Sequence, residues 1–146
     1  MAKAEREDVR ESVVRLVTIV LRDRTVSGGP EAPYRKLLSS LLWQWTEADG
    51  KWSRSLPWSR SALETDNRRS LRHEHVVPRK LLIDALVAMG DPEPRAVRDI
   101  LERMAVACIV TEEEHRRLPD VPWADLSHDV WVRYRRAGVE VRPPES

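Results

Sequence analysis

Residues 5–22, EREDVRESVVRLVTIVLR, place Val9, Val13, Leu16, Val17 and Val20 at steps of three and four. An α-helix turns that spacing into one continuous apolar face, because its side chains repeat about every 3.6 residues. Acidic residues load the first turns, where the positive end of the helix dipole favours them. An apolar face of this length must be covered, and the chain supplies cover of the same kind. After the loop TVSGGPEAP, which Gly-Gly-Pro takes out of helix, YRKLLSSLLWQWTEA resumes the spacing through Leu37, Leu38, Leu41, Leu42 and Trp45. RKLLIDALVAMG reads as a helix stopped by Gly90. DPEPRAVRDILERM reads as another, with its prolines at the start and Val97, Ile100, Leu101 and Met104 facing inward.

Short elements fill the gaps. DGKWSRSLPW is turn-rich, and SRSALETDNRR holds a short helix starting near Ser59. AVACIV is a brief apolar run ending in β-branched residues and reads as a strand. TEEEHRRL follows as a helix, with Thr111 as N-cap and Glu114 completing a capping box. The last third has two prolines and then VWVRYRRAGVEV, compatible with helix or strand; RPPES reads as a frayed tail. At 146 residues the length fits a single domain over 1–146, with a helical part over 1–58, a central part over 70–118 and an extension over 119–146. The predicted fold class is mainly α with a small β-hairpin, α+β.

Charge is unevenly spread. Residues 51–80 carry eight Lys/Arg against three acidic residues, and residues 81–146 carry nine against thirteen. A basic middle beside an acidic half gives the polarised surface that a polyanion binder needs. The N-terminus lacks the apolar core of a secretory signal, and no apolar run approaches the roughly 18 residues of a membrane span. A cytoplasmic protein with no membrane partner is expected. The single Cys108 excludes an intramolecular disulfide and a cysteine-based zinc knuckle. There is no glycine-rich phosphate loop and no G-x-S-x-G elbow, so P-loop nucleotide hydrolysis and serine hydrolysis are not indicated.

The densest chemistry lies in SLRHEHVVPRKLL, residues 70–82, where His73 and His75 flank Glu74 ahead of Pro78. The zinc-protease pattern H-E-x-x-H fails, because position 77 is Val77. What stands is EHVVP, followed forty positions after His75 by His115, in a helix that succeeds the strand-like ACIV. This order resembles the HNH, or ββα-metal, nuclease fingers. There an acidic residue or histidine adjoins a general-base histidine at the end of one strand, and a second strand feeds a helix bearing a metal-ligating histidine. The resemblance covers residues 70–118. It implies a ββα-metal finger embedded in a helical domain, with the two intervening helices as an insertion. It further implies that His75 is the general base and that Glu74 and His115 are metal ligands.

If the backbone is extended, His73 lies on the same side as His75, as a further ligand or an orienting neighbour. No Asn lies between His75 and His115. The base histidine then takes its tautomer from a backbone carbonyl or another side chain. Arg72, Arg79, Lys80, Arg116 and Arg117 flank the two halves and are candidates for phosphate contact. The implied function is metal-dependent hydrolysis of phosphodiester bonds in DNA, with RNA as the alternative, by a bacterial enzyme. The implied cofactor is Mg²⁺ or Mn²⁺, with Zn²⁺ or Ni²⁺ as alternatives.

Two other readings stand beside this one. In one, a non-catalytic helical module uses the polar cluster as a partner-facing surface. In the other, an inactive finger holds a structural metal. Trp43, Trp45, Trp52 and Trp58 crowd one region and read as core filling in a chain without Phe. The basic run Asn67-Arg68-Arg69 reads as a solvated loop, His128 as structural and Cys108 as a buried strand residue.

Overall fold

In the computed structural model, which describes residues 2–143, helices dominate and a small four-stranded sheet accompanies them. The chain forms two compact units. One runs to Asp49 and includes Pro78–Ala105; the other holds Gly50–Val77 and everything from Val106 onward.

The first unit is all helix: α1 (Lys3–Ser27), α2 (Glu31–Thr46), α4 (Arg79–Ala88) and α5 (Pro94–Met104). α1 packs on α2 and α5, and α2 on α4. Every inward residue predicted for α5, namely Val97, Ile100, Leu101 and Met104, is buried. The predicted α1 stripe is rotated. Val13, Val14, Val17 and Leu21 are buried, whereas Leu16 is 46% exposed, and on α2 Leu37 is 54% exposed. A chain with apolar residues at adjacent positions offers more than one stripe, and packing selects among them. α1 also runs five residues past the predicted end, because Thr25-Val26-Ser27 contains no breaker. It stops where Gly28 takes φ 62° and its N–H bonds the Arg24 carbonyl at 3.1 Å. Pro33, predicted in a loop, sits in the first turn of α2, where a missing N–H breaks no helical bond.

The second unit carries the sheet, in the order β2-β3-β1-β4. β2 (Leu71–His75) and β3 (Ala107–Thr111) are the two strands the sequence foretold, and they pair antiparallel from Leu71↔Thr111 to His75↔Ala107. The sheet is wider than the expected hairpin. β1 (Trp58–Ser59) lies parallel to β3, and β4 (Val141–Arg142) is antiparallel to β1. Around it are α3 (Arg60–Glu64), a 3₁₀ turn at Arg68–Ser70, α6 (Glu112–Arg117), α7 (Trp123–His128) and α8 (Val132–Arg136). The ambiguous VWVRYRRAGVEV is therefore helix first and strand last. Of the predicted tail RPPES, residues 144–146 lie outside the described residues.

Trp45 and Trp58 are buried as predicted, while Trp52 is 36% exposed. Each of the four clustered indoles takes a cation over its ring: Arg79 on Trp43, Arg10 on Trp45, Lys51 on Trp52 and Arg54 on Trp58, at 4.3–5.8 Å. No helix is long and apolar enough to cross a membrane among the described residues.

Candidate functional site

Strand alternation sorts the central motif onto two faces. Leu71, His73 and His75 are buried, whereas Arg72 is exposed and Glu74 half-buried. Cross-strand partners share a face, so His73 stands opposite Ile109 and His75 opposite Ala107. Leu71, Ala107 and Ile109 form one apolar cluster with Trp58, Leu56 and Ala62. On the other face Glu74 stands opposite Cys108 and Arg72 opposite Val110. There Cys108 and Val110 cluster with Val76, Tyr134 and Val139.

α6 follows β3 without a loop. The Thr111 hydroxyl accepts the Glu114 N–H at 3.1 Å, and the Glu114 carboxylate accepts the Thr111 N–H at 2.9 Å, which is the predicted capping box. Glu114 does more than cap. It is 3% exposed, and Ser59, whose own Oγ caps α3 by accepting the Ala62 N–H at 3.0 Å, donates its hydroxyl to Glu114 at 2.5 Å. One buried carboxylate thus ties β1 and α3 to β3 and α6. It holds the first turn of α6 in place, and the next residue is His115.

His115 Nδ1 is hydrogen-bonded to the Glu74 carboxylate. The strand and the helix therefore bring together the two side chains that the resemblance names as ligands. The pair is accessible, with Glu74 at 17% and His115 at 41% side-chain exposure. His73 and His75 lie on the opposite face of β2, ring centroids 6.0 Å apart, as their two-residue spacing predicts. His73 thus joins His75, not Glu74 and His115. Its Nδ1 lies 2.8 Å from the Lys51 carbonyl. A carbonyl only accepts, so Nδ1 carries the proton and the His73 tautomer is fixed by backbone. No group of three or more His, Cys, Asp or Glu residues gathers around a metal-sized site among the described residues.

The predicted phosphate-contacting cations divide between the units. Arg72 donates to Glu112, which Arg116 also approaches at 3.5 Å, and Arg117 is exposed on the same helix. Burial opposes ionised carboxylates, yet Arg72 holds the Glu112 carboxyl below its usual range, through its hydrogen bond first of all. Arg79 and Lys80 open α4 in the first unit, where Arg79 donates to Ser39 Oγ at 2.5 Å and lies over Trp43. Arg68 and Arg69 are exposed on the 3₁₀ turn, which Asn67 caps by accepting the Arg69 N–H at 3.1 Å.

Two long-range contacts had no sequence signal. Ser59 reaches Glu114 across 55 positions. Arg133, 7% exposed, donates to the Pro119 carbonyl at 2.9 Å and to the Val76 carbonyl at 3.2 Å, fixing the backbone just after His75. In WVRYRR nothing distinguishes Arg133 from its neighbours.

Cys108 is fully buried, and burial pushes its thiol far above the usual range, with Glu114 and Glu74 adding to the effect. A raised pKa leaves less thiolate at any given pH, and thiolate is the reactive form. Iodoacetamide near pH 8 is therefore expected to spare Cys108 in the native protein and to label it in denaturant. Rapid native labelling, read by mass spectrometry, would show that this face of the sheet opens.

No family model, curated protein or solved structure matches the chain.

Proposed function

We propose that the protein is a metal-dependent endonuclease of the HNH type, hydrolysing phosphodiester bonds in DNA, with RNA as the alternative substrate. One observation carries this reading: two strands pair antiparallel, the second runs directly into a helix, and the carboxylate of Glu74 on the first strand meets the imidazole of His115 on that helix.

Cutting a phosphodiester requires a water to lose its proton, charge to be neutralised on the phosphate, and the departing oxygen to be stabilised. A carboxylate with an imidazole suits one divalent ion whose other positions are left to water and phosphate oxygens, as Mg²⁺ and Mn²⁺ prefer. Zn²⁺ and Ni²⁺ also accept this pair. Such an ion supplies charge neutralisation at the phosphate. A four-ligand structural site is disfavoured by the same observation, since among the described residues no group of three or more such side chains gathers here.

His75 is the last residue of β2. His75 adjoins Glu74 as the resemblance asks of a base beside a ligand, although its ring is on the opposite face of β2, and Arg133 holds the Val76 carbonyl that follows. Exposed Arg68, Arg69 and Arg117, with Arg72 and Arg116 now sharing Glu112, provide cations for the backbone of the substrate.

A second reading, a non-catalytic binding module, is favoured by the burial of His75, which is only 5% exposed and packed beside His73. One experiment separates the two. Metal-stripped protein is incubated with supercoiled plasmid and Mg²⁺, Mn²⁺, Ni²⁺ or Zn²⁺, and Mn²⁺ affinity is measured for wild type and Glu74→Ala. Ion-dependent nicking is expected, with Mn²⁺ binding weakened about tenfold or more in Glu74→Ala, about 1.4 kcal/mol. A folded protein that neither binds Mn²⁺ nor nicks with any ion would overturn the nuclease reading.

A further inference from the structure

The second unit holds a cavity of about 450 Å³ that plays no part in the chemistry above. Its walls are apolar: Pro57, Trp131, Tyr134, Val139, Val141 and Pro143. Two cations complete it, Arg135 and Arg142, with side chains 66% and 51% exposed. The volume falls within the usual range for small-ligand sites, about 300–1,000 Å³. Apolar walls, aromatic rings and two guanidinium groups ask for a flat, largely apolar body bearing an anionic group.

The position of the cavity narrows the choice. Tyr134 and Val139 pack against Cys108 and Val110, and Cys108 is the cross-strand partner of Glu74. The inner wall of the cavity therefore rests on the face of the sheet that carries Glu74. Its outer wall includes β4, an edge strand. Trp131 meets Tyr134 edge-on, with centroids 5.2 Å apart and planes at 80°. Trp131 is only half-buried, whereas Tyr134 is 1% exposed. Arg135 pairs with Asp129, and Arg142 approaches Glu140 at 3.7 Å. The Arg142–Glu140 pair is exposed on both sides and worth little, so a phosphate displaces that carboxylate at small cost.

We infer that this cavity is a binding subsite for one unpaired nucleotide of a nucleic-acid substrate, with its base against Trp131 and its phosphate on Arg135 and Arg142. The identity of the occupant rests on the phosphodiester chemistry proposed for Glu74, His75 and His115. The subsite gives the protein a preference for single-stranded or frayed substrate, since a paired base cannot enter.

The test is fluorescence anisotropy of a labelled five-nucleotide oligothymidylate and of a labelled hairpin duplex, in EDTA so that nothing is cut. Trp131→Ala is expected to weaken single-strand binding about tenfold, in line with one lost base–aromatic stack, and to leave duplex binding unchanged. Trp131→Phe keeps a ring beside Tyr134 and is expected to retain most of the affinity. Arg142→Gln is expected to weaken single-strand binding severalfold, with a shallower salt dependence. Unchanged single-strand binding in folded Trp131→Ala would overturn the subsite, as would a loss in Trp131→Phe as large as in Trp131→Ala. Competition by benzoate as strong as by thymidine monophosphate would also overturn it, assigning the cavity to a small aromatic acid. The two proposals fail separately. Nicking that needs His75 beside single-strand binding indifferent to Trp131 removes only the subsite. Trp131-dependent binding without nicking under any ion removes only the catalysis.

Discussion

Replacing His75 by asparagine is expected to slow metal-dependent plasmid nicking by about 10²–10⁴-fold, the usual contribution of a positioned general base. Asparagine is the informative choice. His75 is 5% exposed, and alanine would leave a cavity whose structural cost would be confused with lost chemistry. Asparagine keeps a planar polar group at the end of β2 but cannot take a proton from water near neutral pH. Three readouts separate base from scaffold: the nicking rate, the Mn²⁺ affinity and the thermal midpoint. The expected pattern is a large loss in rate with unchanged ion affinity, because Glu74 and His115 lie on the other face of the strand. An equal fall in all three would make His75 a packing residue and favour the binding-module reading. An unchanged rate would move the base elsewhere.

The second large effect is on stability. Glu114→Ala is expected to destabilise the protein by about 3 kcal/mol, read from urea unfolding. The carboxylate accepts from Ser59 and from the Thr111 N–H at a site 3% exposed, and alanine leaves both donors without an acceptor. Glu114→Gln, which keeps the shape and one accepting oxygen, is expected to lose less than half as much. Ser59→Ala in the Glu114→Ala background should cost little further, because the two side chains act as one unit. Additive losses would mean that they stabilise separate parts of the sheet. An effect below about 1 kcal/mol for Glu114→Ala would reduce Glu114 to an ordinary helix cap.

How much of this could be read from the sequence depends on the distance over which each signal acts. The α5 face and the Thr111–Glu114 capping box are local patterns, and both stand as read. Leu16 and Leu37 were expected inside, because spacing marks candidate faces, but neighbours decide which of two overlapping stripes is covered. β1 and β4 have two residues each, too short for an alternation to register. At the site, the resemblance to the nuclease fingers anticipated the meeting of Glu74 and His115, although they are 41 positions apart. Alternation along β2 was equally legible, and it is what separates His73 from Glu74. Ser59 and Arg133 stayed hidden. Each matters through a contact with a residue more than fifty positions away, and each belongs to a residue type that is common in this chain.

The chain leaves the second unit after Val77 and returns at Val106, yet the Val76 N–H still donates to the Val106 carbonyl at 2.9 Å. Departure and return are one hydrogen bond apart. On the ribosome this arrangement sets an order of assembly. β2 is synthesised before β3, its ladder partner, and waits while Pro78–Ala105 emerges and completes the helical unit. A nascent chain that stops after Ala105 and before His115 therefore contains every residue of the helical unit while Glu74 still lacks His115. Products that stop short of His115 cannot form the Glu74–His115 contact, however complete their helical unit is.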